Sequence, residues 1–353
     1  MAPVSPLTRV TLADVAASAG VSPSTASRAL HGGAGVSDEL AARVRAAAEG
    51  LGYRANRNAR SLRRGHDEAI GVAVEDFTIP FFGRVVAVVE QAAHERGYGV
   101  VITCAGSGRS EEEAVEPLLS RSVAGLVVAT GTAGAPEGYL ADVARELPVV
   151  QVDAPGPSAV SDAVGIDNAA AGAQLTEHVL ASGHERVLFV GSGRAASTVV
   201  LRAEGYAATM RAAGLTPRCA WLGYLPGQVP ERAVRALREA GDVTAVVSGV
   251  ARTTTGLVSA VRALGRRDLA VAAVDDLAGA DAFDPPLTVL EQDVEDMGAR
   301  AARLLFDRIG GYAGPPRHEQ VALRLIQRGS GELPPPGATG APVIPGRRRA
   351  PVA

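Results

Sequence analysis

The fold turns on the stretch Thr11-Leu-Ala-Asp14-Val-Ala-Ala-Ser-Ala-Gly20-Val-Ser-Pro-Ser-Thr-Ala-Ser-Arg28-Ala-Leu30. Thr11 stands three residues before Asp14, the spacing of a capping box. Leu12, Val15, Ala16 and Ala19 recur at i, i+3, i+4 and i+7, which predicts one apolar helical face ending at Gly20. Ser22 is placed to cap a second helix, with Pro23 in its first turn, where a missing N–H costs nothing. That helix should run to about Leu30 with Ala26, Ala29 and Leu30 inward. After a loop from His31 to Val36, Ser37 caps a third helix carrying Leu40, Val44, Ala47 and Leu51, ended by Gly50 and Gly52. Two short helices around a Gly-Val-Ser turn, closed by a third, read as a helix-turn-helix. A generic three-helix fragment with solvated charges would show the same periodicity.

The segment that follows, Asn56-Arg57-Asn58-Ala59-Arg60-Ser61-Leu62-Arg63-Arg64, holds four Arg, no acid and a single Leu. It reads as a basic linker, or as a short helix that lays its Arg along phosphates and wedges Leu62 into a minor-groove base step. Charge supports the second reading. The net −3 of the 353 residues is composed of +5 over residues 1–65, −10 over 66–330 and +2 from Gly331 onward. A basic head on an acidic body predicts a polyanionic partner for the head alone. All the basic residues are Arg and none is Lys, a compositional bias that carries little argument by itself.

Composition removes several classes. Cys104 and Cys219 are far apart and form no CxxC, which argues against a disulfide scaffold, a cysteine zinc site or an iron–sulfur centre. No apolar run approaches the ~20 residues that span a bilayer, and Met1–Arg9 lacks the apolar core of a secretory signal. The expectation is a cytoplasmic protein with no metal and no cofactor. The six His are scattered, without metal spacing, and read as solvated or structural.

From Ala69 onward short apolar runs alternate with helical patterns. Strands are expected at Ile70–Val74, Val100–Thr103, Gly125–Ala129 and Val149–Val152. The alternation restarts with Val164–Ile166, Arg186–Val190, Ala245–Val247 and Leu269–Val274, helices filling the intervals. Repeated βαβα predicts an α/β fold of parallel sheets covered by helices on both faces, and the length suits two lobes. The expected division is a helix-turn-helix domain over 1–55, a hinge over 56–65, and a body over 66–330. Within the body an N-lobe takes about 66–161 and 292–317, and a C-lobe about 162–291 and 318–330. A disordered Pro/Gly-rich tail covers 331–353.

The ordered pattern of the opening stretch, continued by Val36-Ser, then Leu51-Gly-Tyr-Arg-x-Asn56-x-x-Ala59-Arg60-Ser-Leu62, resembles the lactose-repressor (LacI/GalR) family of bacterial transcription regulators. The match is nearly unbroken over residues 8–65 and looser to about residue 330. The resemblance implies a two-lobed body similar in fold to periplasmic sugar-binding proteins. It makes Pro23–His31 the recognition helix in the major groove, with Pro23 and Ser24 at positions that vary with operator and Arg28 at a base-contacting position. Arg28 has the fork to meet guanine O6 and N7. Thr11, Ser22, Thr25, Ser27 and His31 stand beside these, and Asn56, Arg57, Ala59 and Leu62 match the hinge. The implied partners are a pseudo-palindromic double-stranded operator, a second copy of the chain and a small effector, carbohydrate in most of the family; no membrane is involved.

For the effector, the resemblance points to the cleft between lobes, where ligands of open α/β sheets meet the carboxyl ends of strands. Phe77, Phe81 and Phe82 match the family's aromatic stretch around Pro80. Asp153 follows the fourth strand, Thr198 lies four residues before Arg202, and Arg202 opens the Arg-x-x-Gly205-Tyr206 signature. Asp275 follows the strand before Pro285-Pro286-Leu-Thr. One departure is plain: the family's Asn-Asp pair is replaced by Val250-Ala251, with Arg252 next. The effector is then less hydroxylated than a typical sugar, or held by Arg252, or absent.

Two rival classes exist. Gly191-Ser-Gly193-Arg-Ala-Ala196 after a strand fits the dinucleotide fingerprint G-x-G-x-x-A, which would make an NAD-dependent enzyme. The acid that should meet the ribose ~20 residues on is missing, and Arg211 lies there. A transport binding protein has the same body but no DNA-binding head. No G-x-S-x-G elbow occurs. The tail from Pro334 cannot supply leucine heptads, so a dimer is expected.

Overall fold

The computed structural model describes residues 10–30, 36–53, 69–106, 109–130, 138–153, 161–193, 197–223 and 226–337. The chain divides into two compact units, Met1–Asp67 and Glu68–Ala353.

In the first unit α1 (Leu12–Ala19), α2 (Pro23–Leu30) and α3 (Asp38–Gly50) follow the sequence pattern. The capping box forms in both directions: Asp14 N donates to Thr11 Oγ1 at 3.3 Å and Thr11 N to Asp14 Oδ2 at 2.8 Å. Gly20 ends α1 at φ 65°, the left-handed turn that a residue without Cβ adopts freely. Ser22 Oγ accepts from Thr25 N at 3.2 Å, and Ser37 Oγ from Leu40 N. Val15, Ala26 and Val44, one from each helix, are fully buried and form the centre of the unit. Small residues there let short helices approach closely.

The second unit holds two sheets, each six-stranded among the described residues. The first has the order β11-β5-β4-β3-β1-β2. Its strands are β1 (Ala69–Val74), β2 (Gly99–Cys104), β3 (Leu126–Ala129), β4 (Val149–Asp153), β5 (Asp162–Gly165) and β11 (His318–Gln320). The second has the order β12-β10-β9-β8-β6-β7, from β6 (Val187–Gly191), β7 (Arg218–Trp221), β8 (Ala245–Ser248), β9 (Ala270–Val274), β10 (Thr288–Gln292) and β12 (Leu323–Ile326). All pairings are parallel except β10 with β12. The helices are α4 (Pro80–Glu95), α5 (Glu111–Leu119), α6 (Tyr139–Glu146), α7 (Asn168–Ala181), α8 (Ser197–Ala212), α9 (Val229–Ala240), α10 (Ala251–Ala263) and α11 (Val294–Ile309). The central strands β1, β3, β6, β8 and β9 are buried nearly throughout, as strands covered on both faces must be.

The lobe boundaries differ from the sequence expectation. The strand expected to open the C-lobe, β5, lies in the first sheet, in register Val150↔Asp162 to Asp153↔Gly165. Only eight residues separate these two strands, fewer than the dozen or more that ordinarily join parallel neighbours, and the chain leaves the first lobe after β5, not before it. The anchor is ionic: Asp162, fully buried, accepts from Arg308 at 2.7 Å and from Arg317 at 2.9 Å. Residues 318–320 likewise pair with β5 and not with the C-lobe. The chain therefore crosses after β5, after β10, and between β11 and β12.

The start of the tail also departs from expectation. Glu332 accepts from His178 Nε2 at 2.6 Å, from Thr288 Oγ1 at 2.7 Å and from Gly329 N at 2.7 Å. The Leu333 carbonyl sits 2.7 Å from buried His184 Nε2. Residues 331–335 are thus packed on the C-lobe, while the expectation for 338–353 concerns residues outside those described.

Candidate functional site

On α2 the hydroxyls expected at the DNA interface are tied to one another. Ser22 Oγ lies 2.9 Å from Ser24 Oγ and 2.8 Å from Thr25 Oγ1. Thr11 and Ser22 serve as caps, and Pro23 fills the first helical position. Ser27 is half-buried, and Arg28 in the last turn is exposed, its guanidinium extending from a helix whose other face is fixed by Ala26 and Ala29. His31, Asn56, Arg57, Ala59 and Leu62 lie outside the described residues.

In the body, the expected effector residues converge on one cavity. It is lined by Phe81, Phe82, Asp153, Thr198, Arg202, Val250, Arg252 and Asp275, joined by Glu75, Ile79, Ser192, Val199 and Ala251. The reason is topological. Asp153 ends β4 and Asp275 follows β9, Glu75 follows β1 and Ser192 follows β6, and the carboxyl ends of the two parallel sheets face each other. Both aspartates have positive φ, 69° and 68°, a conformation costing a non-glycine residue about 1 kcal/mol or more and concentrated at functional sites.

Arg202 is 2% exposed. Its Nε donates to Asn168 Oδ1 at 2.8 Å and Nη1 to the Gly249 carbonyl at 2.9 Å, while Nη2 stands 3.7 Å from Asp153 Oδ1 across the cleft. The rest of the signature positions this arginine. A Cβ on Gly205 would lie 1.9 Å from the Ala169 carbonyl oxygen, so glycine is what lets α8 approach α7. Tyr206, fully buried, donates to the Val187 carbonyl and accepts from Arg218 N, both at 2.8 Å, fastening α8 to the second sheet.

Arg252 crosses the cleft in the other direction, with Nη1 2.8 Å from Asp76 Oδ2 and Nη2 3.4 Å from Glu75 Oε1. It occupies the space beside Val250, where β8 passes into α10. Burial pushes the Glu75 carboxyl up to about 7, Arg252 opposing and Asp153 and Asp76 adding to the rise. Burial likewise raises Asp153 to about 6, against the pull of Arg202 and with the repulsion of Asp275. Asp76, despite its burial, is held below the ordinary carboxylate value by hydrogen bonds from Thr78.

Phe77 does not join the cavity. It is 47% exposed, because Thr78 N and Oγ1 both bond Asp76 Oδ1 and turn the chain so that Ile79 takes the lining position. Phe81 and Phe82 form a wall in an edge-to-face pair at 5.1 Å. Glu75 and Ser192 were missed in the sequence; each directly follows an apolar strand, the same placement that Asp153 and Asp275 have. Gly191, part of the apparent dinucleotide fingerprint, has a packing reason instead: a Cβ there would come within 2.8 Å of Trp221 and Val199.

A family model described as bacterial regulatory proteins, lacI family, matches residues 11–56, and a periplasmic binding protein-like domain matches residues 176–331. The HTH-type transcriptional regulator PtxS of Pseudomonas plecoglossicida is 34% identical over 335 residues, 92% of this chain and 96% of the relative. The chain belongs to the lacI family. Among solved structures, the transcriptional regulator CelR–cellobiose complex matches this lacI-family chain with TM-score 0.66 and 28% identity, covering 91% of this chain and 100% of that one. The lac repressor dimer bound to operator and the anti-inducer ONPF shares its fold, with TM-score 0.77 at 24% identity, over 92% and 99% of the two chains. The lacI-family relatives are transcriptional regulators and not enzymes. No helix among the described residues is long and apolar enough to cross a membrane.

Proposed function

We propose that this protein is a sequence-specific repressor of a catabolic or transport operon. It binds a pseudo-palindromic operator as a homodimer, and a small carbohydrate-like effector in the body's cleft switches that binding. The observation that carries the reading is the convergence of Asp153, Arg202, Arg252 and Asp275 on one cavity at opposed strand ends. Carboxylates and guanidinium groups there suit the vicinal hydroxyls of a sugar, with Phe81 and Phe82 as an apolar wall. The cellobiose bound to the related CelR supports the ligand class. A ligand that binds one arrangement of the two lobes better than another shifts the hinge segment 56–65, and DNA affinity changes by that coupling free energy. Val250 and Ala251, in place of a polar pair, favour a second reading in which the effector carries fewer hydroxyls than a sugar.

The test is fluorescence anisotropy on an operator selected from random duplexes. Arg28→Ala should cost about 1–3 kcal/mol of discrimination at one base pair and leave weak, salt-sensitive binding. Unchanged preference would remove α2 as the reader. Asp275→Asn should bind operator normally and lose the response to any effector that releases or tightens the wild type. A retained response would place the effector elsewhere.

A further inference from the structure

Resting on the reading of the cleft as an effector site, we propose that Glu75 makes it selective for ligands rich in hydrogen-bond donors and free of acidic groups. Amino sugars should be favoured over their neutral parents, and sugar acids and sugar phosphates excluded. The first support is the charge around the cavity. Glu75, Asp153 and Asp275 line it, with Asp76 immediately behind; two guanidinium groups, Arg202 and Arg252, stand against these four carboxyls.

Both guanidinium groups are already committed. Arg252 spans Asp76 and Glu75, and Arg202 is spent on Asn168, the Gly249 carbonyl and Asp153. No other guanidinium among the described residues lines the cavity. An anionic ligand would therefore have to break an existing ion pair to find a partner.

The second, independent support is a set of buried atoms that lack a hydrogen bond. Among the described residues Ser192 Oγ and Gln292 Oε1 are buried without one, and Asp153 Oδ1 has the Arg202 guanidinium at 3.7 Å but no hydrogen bond. Ser192 lines the cavity and is 2% exposed; Gln292, also 2% exposed, holds Asp275 Oδ1 at 2.7 Å through its amide nitrogen and so keeps that carboxylate in place. Two of these three atoms only accept, and the third accepts as readily as it donates. Buried acceptors left empty are costly until donors reach them. A hydroxyl or ammonium supplies donors; a carboxylate or phosphate brings more acceptors and more negative charge.

Around Glu75 stand Arg252 from α10, Asp153 from β4 and Asp76 from the turn after β1. Burial first, and then the charges of Asp153 and Asp76, keep the proton on this carboxyl to about pH 7 against the pull of Arg252. An ammonium between Glu75 and Asp153 replaces that proton with a fixed positive charge.

The test is isothermal titration of the full chain at pH 7.5, a chosen condition near neutrality, with matched probes. These are glucosamine, galactosamine and mannosamine, the three parent hexoses, gluconate, and the hexose 6-phosphates. At least one amino sugar should bind about tenfold or more tightly than its parent, and the acids and phosphates should give no heat. In Glu75→Gln the ratio of amine to parent should fall to about twofold or less. An acid or phosphate that binds as tightly as the parent overturns the proposal, as does a set of three amines none of which binds more tightly than its parent. The wild-type ratios decide even if the variant fails to fold. Acid binding abolished by Asp275→Asn sinks the charge selectivity and leaves the cleft reading standing. Binding of any probe that survives both Asp153→Asn and Asp275→Asn sinks the cleft reading itself.

Discussion

Single side chains at the strand ends carry most of the chemistry, and their legibility varied with their surroundings. Asp153, Arg202 and Asp275 were readable through the family resemblance, which matches them to ligand positions after strands and in the Arg-x-x-Gly-Tyr signature; as isolated charges each would also suit a solvated loop. Phe77 was not, since an aromatic residue gives no sign of which way a turn will face it; the Asp76–Thr78 hydrogen bonds decide that. Glu75 was not singled out, although it follows the same kind of strand. Its elevated folded-state value has a consequence for stability. Protonation is easier in the folded state, so the stabilisation is full below the ordinary value near 4.5 and is lost as pH rises through about 7. Thermal unfolding should show the body losing stability between pH 5 and 8, with a shallower slope in Glu75→Gln. Identical slopes in the two proteins would show that Glu75 ionises as an exposed carboxyl does.

At the level of elements, helices were read better than strands. Caps and i, i+3, i+4 faces are local, and α1, α2 and α3 begin at the residues their caps specify. Strand membership is not local. The runs at β5 and β11 looked like any apolar or mixed segment, and only the pairing of β5 with β4 and of β11 with β5, with Asp162 held by Arg308 and Arg317, assigns them to the first sheet. The edge strand β7, short and half-exposed, was missed for want of an apolar run. The α7–α8 contact gives a sharp test. Gly172 and Gly205 each leave 1.9 Å between a would-be Cβ and a backbone oxygen of the facing helix, and backbone cannot rotate aside as a side chain does. Gly205→Ala should cost about 3 kcal/mol or more of stability in urea unfolding, above the common range for overpacking. A loss under about 1 kcal/mol would mean that the helices separate at little cost and that the glycine does not set their distance.

For the whole molecule, the α/β class and the two lobes followed from the alternation and length, the separate head from its caps, helical faces and basic charge, and the discontinuous lobes from the family resemblance. What did not follow was where each crossing falls, or that the first residues after 330 are bound to the C-lobe through Glu332 and Leu333. Composition marked that segment as Pro/Gly-rich, and composition is blind to a single half-buried carboxylate with three partners. The remaining tail lacks leucine heptads, so assembly should stop at two chains. Equilibrium sedimentation should give twice 36.0 kDa, and a stable tetramer would require an interface that the tail does not encode.

The two sheets run in matching order, β2-β1-β3-β4-β5-β11 against β7-β6-β8-β9-β10-β12, so Asp153 and Asp275 occupy corresponding places. A ligand gripped by those two aspartates alone could be turned end for end with little change in its contacts. Glu75 and Ser192 also correspond, after β1 and β6, yet one is an acid and the other a hydroxyl. That inequality gives the jaw a head and a tail: in the proposed effector site it would set the direction in which a near-symmetrical molecule lies, and hence which of its ends each lobe reads.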